Sequence, residues 1–197
     1  MRPLLPVLIV MVKEPRPGRV KTRLGRQIGM VPAAWWFRHQ CRALLRQAVD
    51  PRWQVALAVS PDAEGRASRV WPAHIPRLPQ GRGDLGARMG RLLQGAGPGA
   101  PVMIVGADIP GLRRRHIADA FRKLAAADAV IGPAPDGGYW LIGLRHVPPP
   151  GLFAGVRWSS ADARADTLAT MRGLRVAMAE TLADVDEAAD LPRKLLA

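Results

Sequence analysis

The chain has a single cysteine, Cys41, among its 197 residues. One cysteine cannot form an intrachain disulfide, and its helical setting indicates a buried thiol rather than a nucleophile. Long apolar runs are also lacking, because no stretch approaches the roughly 20 residues of a transmembrane helix. Residues 1–3 lead directly into a predicted core strand without signal-peptide architecture. The sequence therefore predicts a cytoplasmic protein.

Acidic residues are few compared with basic ones. The chain has 16 Asp and Glu against 29 Lys and Arg, which gives a formal net charge of +13. Such a charge draws anions to the surface. The arginines are nevertheless spread along the chain, no nucleic-acid-binding motif accompanies them, and one Tyr and three Phe offer little base stacking beside the six Trp. We expect no stable complex with nucleic acid.

Two common nucleotide-binding motifs are missing. A P-loop needs glycines where this chain has Pro15 and Val20, ahead of the Lys21-Thr22 pair. The dinucleotide fingerprint also fails, because the loop after the first predicted strand has only Gly18 before Gly25. The sequence supports neither a P-loop kinase nor a Rossmann oxidoreductase.

Strand and helix patterns alternate along the chain. We predict strands at 4–12, 53–60, 75–78, 102–105, 129–132, 139–144 and 174–179. We predict helices beginning at Pro32, over 85–93, around 117–124, over 162–172 and over 187–196. Strands separated by helices imply a mainly parallel sheet with helices on both faces. The length fits one domain that can bury roughly 70% of its unfolded surface.

A basic loop, KEPRPGRVKTRL at 13–24, follows the first predicted strand. Open α/β sheets bind their ligands where strands end. Lys13, Lys21 and Arg23 supply positive charge, while Gly18 permits a tight turn and close backbone approach. A phosphate could be held here by charge and amide donors together, although a solvated basic loop is the alternative.

Asp108, in VGADIPGL, emerges at the end of another predicted strand. A carboxylate beside a phosphate-binding loop would repel the ligand unless a divalent cation lay between them, which implies Mg²⁺ or Mn²⁺. Asp184 and Asp186, in ADVDEAADL, project to one side of an extended segment and form a second set of oxygen ligands. Helix capping is the alternative for Asp108 and for Asp186.

Asp136 lies in GPAPDGGYWLIG, residues 132–143. Its two following glycines, Gly137 and Gly138, indicate a turn, and a plain hairpin loop is one interpretation. The apolar strand beginning at Tyr139 would hold this segment rigidly. The loop could then present backbone amides and one carboxylate to a sugar or an acceptor.

Six segments in this order resemble the bacterial DUF2064 family, which is glycosyltransferase-like and related to nucleotide-diphospho-sugar transferases of the GT-A fold. They are KEPRPGRVKTRL, QGRGDLGARM at 80–89, VGADIPGL, GPAPDGGYWLIG, VRWSSADARADTL at 156–168 and DVDEAADL. One departure is Ala87, where the family pattern has an acidic residue. The resemblance covers nearly the whole chain and implies a Rossmann-like GT-A sheet with a nucleotide over the first strand's loop.

The resemblance also implies roles for individual residues. Phosphates would meet Lys13, Lys21 and Arg23, and the cation would be held by Asp108, Asp184 and Asp186. The base or ribose would contact Gln80, Gly83 and Asp84. The layout is similar to that of guanylyltransferases acting on phospholactate or phosphoenolpyruvate and of molybdenum-cofactor nucleotidyltransferases.

Three functions remain open from the sequence. In glycosyl transfer, the metal neutralises a departing nucleoside diphosphate and Asp136 positions the acceptor or acts as base. In nucleotidyl transfer, the metal and Lys21 stabilise charge on an NTP, and pyrophosphate leaves. The family's association with radical-SAM proteins and arsenosugar biosynthesis favours glycosyl transfer. A non-catalytic nucleotide-binding protein is the third possibility, and the oligomeric state is open.

Overall fold

The computed structural model describes residues 4–95 and 99–191. Within these residues, seven strands form one sheet in the order β3-β2-β1-β4-β6-β5-β7. The strands are β1 (Val7–Lys13), β2 (Gln54–Ser60), β3 (Arg77–Pro79), β4 (Val102–Gly106), β5 (Ala129–Pro133), β6 (Tyr139–Leu144) and β7 (Val176–Met178). Each lies within two or three residues of a predicted strand, because the buried strands are continuous apolar runs.

Strand β6 is the one reversed strand of this sheet. It pairs antiparallel with β4 and with β5, whereas the pairs β1–β2, β1–β4, β2–β3 and β5–β7 are parallel. Reversal brings the first residue of β6 to the edge where the other strands end. The prediction of a mixed, mainly parallel α/β sheet is confirmed.

Six helices accompany the sheet: α1 (Thr22–Ile28), α2 (Met30–Ala48), α3 (Asp62–Ala67), α4 (Leu85–Gly95), α5 (Arg114–Ala126) and α6 (Ala163–Ala169). The predicted stripe of α2, including Phe37, Cys41 and Leu44, is buried. Helices α1 and α3 were not predicted, since each is short and lacks an apolar repeat. The helix predicted over 187–196 is wrong for its described part, where only a 3₁₀ turn forms at Ala188–Asp190, and residues 192–197 lie outside the described residues.

Both faces of the sheet are buried. Alternate residues of β1 point to opposite sides, with Leu8 and Val10 in one apolar cluster and Ile9 in the other. The first cluster includes residues of α2 and α5, and the second includes residues of α4 and α6. Because both faces are covered, the strand ends at one edge are left to form a site.

Candidate active site

A cleft of about 900 Å³ runs along the edge where β1 and β4 end and β6 begins. Its lining comes from segments distant in the sequence: the loop before α1, the start of α4, the residues after β4, the Asp136 turn, the 158–163 segment and the Asp184–Asp186 pair. The sheet thus gathers almost every predicted site segment at one place.

Lys21 lies between two of the predicted metal ligands. Its Nζ is 2.5 Å from Oδ2 of Asp108 and 3.0 Å from Oδ1 of Asp186. The Lys21 side chain is 9% exposed, and its backbone has φ 45°, in the left-handed region. Arg23 also reaches Asp186, with Nη1 3.2 Å from Oδ2. The two carboxylates are therefore neutralised by cations of the chain itself.

The electrostatics of this group favour a charged lysine. Burial alone would lower the pKa of Lys21, but attraction to Asp108 and hydrogen bonds to Asp108 and Asp186 outweigh it and raise the pKa. Cys41 lies close enough to sense the same charges. Burial, followed by the charge of Asp108, raises the pKa of the Cys41 thiol well above its usual value, which agrees with an unreactive buried thiol.

Asp184 lies near the same group of charges. Burial first, and then the carboxylates of Asp108, Asp186 and Asp136, raise the pKa of Asp184 to about 6, against the opposing effect of Lys21. Coulombic coupling to three other carboxylates places Asp184 within their shared field. A further cation at this position would relieve the repulsion.

The basic loop is fastened to α3. Arg16 Nη2 lies 3.1 Å from one oxygen of Glu64, and Arg19 Nη1 lies 3.5 Å from the other. Glu14 accepts a hydrogen bond from the Ser68 hydroxyl at 2.9 Å. These contacts hold the loop against α3 and the residue that follows it. Lys13, Arg19 and Lys21 of the loop line the cleft.

Gln80 is fixed by backbone contacts. Its buried side-chain amide donates to the carbonyl oxygens of Val12 (3.0 Å) and Ala58 (2.8 Å), near the ends of β1 and β2. The backbone amides of Gln80 and Gly81 donate in turn to Asp62. Gln80 therefore braces the ends of β1 and β2 as well as lining the cleft.

The Asp136 turn packs against a second loop. Asp136 accepts a hydrogen bond from the Gly138 amide at 2.9 Å. Gly137, with φ +87°, lies so close to this loop that a Cβ would be 2.0 Å from the carbonyl oxygen of Ala161. The amide of Arg164 donates to the Gly137 carbonyl at 3.0 Å. Only glycine fits here, and the two loops form one wall.

Most predicted site residues line the cleft. They are Lys13, Lys21, Arg23, Gln80, Gly83, Asp84, Asp108, Asp136, Gly138, Tyr139, Asp184 and Asp186. Gly18 and Gly137 are not in the lining; Gly18 supplies a turn with φ +75°, and Gly137 supports the wall. Burial raises the pKa of Tyr139, whose hydroxyl lies 3.3 Å from Oγ1 of Thr167.

Sequence reasoning missed several lining residues, namely Arg19, Arg88, Trp158, Ser159 and Ser160. Arg19 and Arg88 lie inside segments recognised as motifs, and the other three belong to the VRWSS segment, to which no role was given. Order along the chain offered no means of placing that segment beside the Asp136 turn.

The capping alternatives do not describe Asp108 and Asp186. Helix α5 has Arg113 at its N-cap, and the 3₁₀ turn has Glu187. Both carboxylates contact Lys21 instead. In donor chemistry these carboxylates and Asp184 fit a hard divalent cation. As they stand, however, no three Asp, Glu, His or Cys side chains of residues 4–95 and 99–191 converge as a metal-binding group.

Comparisons with known proteins point to one family. The family model described as an uncharacterized protein conserved in bacteria (DUF2064) matches residues 43–160. A crystal structure from Desulfovibrio desulfuricans G20, described as that of a candidate nucleotide-diphospho-sugar transferase, has 33% sequence identity and a TM-score of 0.82. That match covers 92% of this chain and 82% of the other. A search of curated proteins gives no match.

Two more distant structures share the fold. Rv0371c from Mycobacterium tuberculosis H37Rv, solved in complex with manganese, is 16% identical with a TM-score of 0.56 and covers 98% of each chain. The 4-diphosphocytidyl-2C-methyl-D-erythritol synthase of Anaerococcus prevotii is 10% identical with a TM-score of 0.60, covering 95% of this chain and 92% of the other. No helix of the described residues is long and apolar enough to cross a membrane.

Proposed function

We propose that this chain, which belongs to the DUF2064 family, is a metal-dependent transferase that moves a sugar from a nucleoside diphosphate to a small acceptor. The observation that carries the proposal is the single cleft in which Lys13, Lys21 and Arg19 face Asp108 and the Asp184–Asp186 pair. The description of the Desulfovibrio desulfuricans relative as a candidate nucleotide-diphospho-sugar transferase supports the same reaction.

The charge of the cleft favours a diphosphate donor. Its lining carries as many basic side chains as carboxylates. A divalent cation together with the roughly two negative charges of a sugar-linked diphosphate would leave that balance unchanged, whereas a triphosphate brings about four. Of the two donors, a sugar nucleotide therefore needs less additional positive charge to neutralise its phosphates.

The chain's residues have separable roles in this proposal. Lys13, Lys21 and Arg19 bind the phosphates, and Gly83 and Asp84, beside the buried Gln80, face the base or ribose. Asp108, Asp184 and Asp186 would hold Mg²⁺ or Mn²⁺, which when bound supplies Lewis-acid neutralisation of the departing diphosphate. The manganese in the complex of Rv0371c, a protein of the same fold, supports this choice of ion.

Asp136 serves the acceptor. Its carboxylate is exposed on the wall formed with the 158–163 segment, and it lines the cleft. As the bond between the sugar's anomeric carbon and the phosphate oxygen breaks, the acceptor oxygen forms the new bond and Asp136 accepts its proton. Gly137, Gly138 and Tyr139 would hold the acceptor in place.

Nucleotidyl transfer is the second candidate. Lys21 sits at the centre of the carboxylate group, where it could follow charge developing on an α-phosphate as pyrophosphate leaves. The same fold occurs in a diphosphocytidyl-methylerythritol synthase.

Product analysis distinguishes the two reactions. The protein is incubated with Mn²⁺ and UDP-, GDP- and dTDP-sugars or NTPs, together with a small-molecule extract as acceptor source, and nucleoside diphosphate and pyrophosphate are measured. We expect nucleoside diphosphate from a sugar nucleotide. Pyrophosphate from an NTP, with no release from any sugar nucleotide, would establish nucleotidyl transfer in its place. Absence of both products and of metal-dependent nucleotide binding would exclude either transferase.

Asp136→Ala tests the division of the site. It should leave donor affinity within about threefold, a difference under ~0.7 kcal/mol, while abolishing turnover, because the carboxylate acts on the acceptor. Asp119→Ala is the matched control, since Asp119 lies on α5 and pairs with Arg122 and Lys123. A mutant at 136 that loses donor binding together with turnover would move Asp136 into the nucleotide or metal site.

A further inference from the structure

The centre of the proposed cation site already holds a positive charge. Lys21 Nζ is within 3.0 Å of one oxygen from Asp108 and one from Asp186, so these carboxylates converge on one point that the ammonium occupies. The side chain is 9% exposed. A group so enclosed and doubly paired is a structural counterion as well as a phosphate ligand.

One position cannot serve the ammonium and a divalent cation together. Two positive centres at hydrogen-bond distance from the same oxygens repel each other strongly. Binding of a metal to Asp108 and Asp186 therefore requires Lys21 to leave. Asp184 lines the same cleft, and the ion pairs of Lys21 are with Asp108 and Asp186, so Asp184 gives an incoming cation a further ligand.

We infer that Lys21 is an exchangeable occupant of the cation site, bound to Asp108 and Asp186 without donor and released from both when the donor's phosphates draw its ammonium away. This rests on the proposed function, because it takes the donor to be a phosphate-bearing nucleotide. Lysine suits such an exchange, since its flexible stem carries a compact charge that can move between partners. The proposed phosphate position lies in the same cleft, because Lys13 and Arg19 also line it.

The exchange couples the two ligands. The metal alone must displace Lys21. The donor alone must take Lys21 away from two carboxylates, which leaves Asp186 with Arg23 as its ion-pair partner. Either ligand, once bound, has already separated Lys21 from the carboxylates, so the other ligand no longer has to do so. By linkage, the metal and the donor should therefore raise each other's affinity by the same factor. We therefore expect the protein to bind the metal weakly when no donor is present.

Lys21→Met tests this with Mn²⁺ as the sole ligand, measured by calorimetry without any nucleotide. Methionine keeps much of the stem and removes the charge. We expect the variant to bind Mn²⁺ at least ~10-fold more tightly than the wild type, because charge-assisted contacts of this kind no longer have to be broken. Lys13→Met is the matched control, since Lys13 lines the cleft but makes no ion pair among residues 4–95 and 99–191. It should change Mn²⁺ affinity by less than about threefold.

A second measurement uses the unaltered protein, in case Lys21→Met does not fold. The chain has four lysines, Lys13, Lys21, Lys123 and Lys194, so acylation of each can be followed by mass spectrometry. Lys21 should be acylated slowly in metal-free buffer and several-fold faster at saturating Mn²⁺. Lys123, which pairs with Asp119 away from the cleft, should not change.

The outcomes separate this inference from the proposed function. Unchanged or weaker Mn²⁺ binding by a folded Lys21→Met variant would overturn the inference, even if the enzyme turns over sugar nucleotides. Lys21 acylation that stays constant while Mn²⁺ binds would do the same. Tighter metal binding by Lys21→Met without any nucleotide turnover would support the exchange and count against the transferase.

Discussion

Ser159 shows how one residue can be held in an unfavourable conformation at the cleft. It has φ 60°, in the left-handed region, although it is not glycine. It is exposed and lines the cleft beside Trp158. Left-handed conformations of non-glycine residues cluster at functional sites. The backbone of Ser159 is therefore expected to cost stability at this position.

Replacing Ser159 by glycine should stabilise the protein. Strain of ~1–2 kcal/mol is relieved, and ~0.5–1 kcal/mol is lost to the larger backbone entropy of glycine in the unfolded chain. We expect a net gain of about 0.5–1 kcal/mol in the free energy of unfolding, measured by urea denaturation. Ser159→Ala keeps the strain and serves as the comparison. Equal stability of the Gly and Ala variants would show that position 159 stores no strain.

At the scale of elements, the loop that carries Ser159 is tied to α6 by a two-point ion pair. Arg157 donates from Nε and Nη2 to the two carboxylate oxygens of Asp166 at 2.8 and 2.9 Å, and its backbone amide adds a third contact at 3.1 Å. These hydrogen bonds lower the pKa of Asp166 to about 2. The Asp166 carboxylate is therefore charged throughout the neutral pH range, and the ion pair with Arg157 fixes the start of the loop to α6.

Asp166→Asn should therefore have a pH-dependent cost. The folded pKa lies below the unfolded value of ~3.9, so this stabilisation is present above pH ~4 and is lost as pH falls toward 2. We expect the variant to melt below the wild type at pH 7 and the difference in Tm to shrink between pH 4 and 2. A penalty that is constant down to pH 2 would contradict the ionic origin of the tie.

For the whole molecule, the formal net charge of +13 contrasts with a cleft whose basic and acidic side chains are equal in number. The excess positive charge thus lies outside the site. Charges at that distance act through the long-range field, which salt screens over ~10 Å at 0.1 M. They should accelerate the arrival of an anionic donor without determining which donor binds.

Ionic strength provides the corresponding test. Raising NaCl from 0.05 to 0.5 M should slow association of a nucleoside diphosphate by about tenfold, because steering by the field weakens. Association of the bare nucleoside should change little. Stopped-flow fluorescence can follow both, since Trp140 and Trp158 line the cleft. If salt slowed the association of both ligands equally, electrostatic steering of the anion would not be the cause.

The sequence alone determined the strands and the family. Apolar runs located the strands, and β6 was predicted with its observed bounds, Tyr139–Leu144, because a buried strand is a local pattern of composition. Residues at the ends of those runs proved to line one cleft, since parallel strands end at a common edge. Membership of the DUF2064 family could also be recognised from the motifs, whereas the single-domain organisation stays a prediction.

Only the tertiary structure decided which residues contact each other. The reversal of β6, the short helices α1 and α3, and the packing of Gly137 against Ala161 depend on contacts between segments that no local pattern connects. The contact of Lys21 with Asp186 spans 165 residues. The sequence supplied the lysine as a phosphate ligand and the aspartates as metal ligands. Only the folded chain brings them together, because the distance between distant residues is set by how the sheet packs.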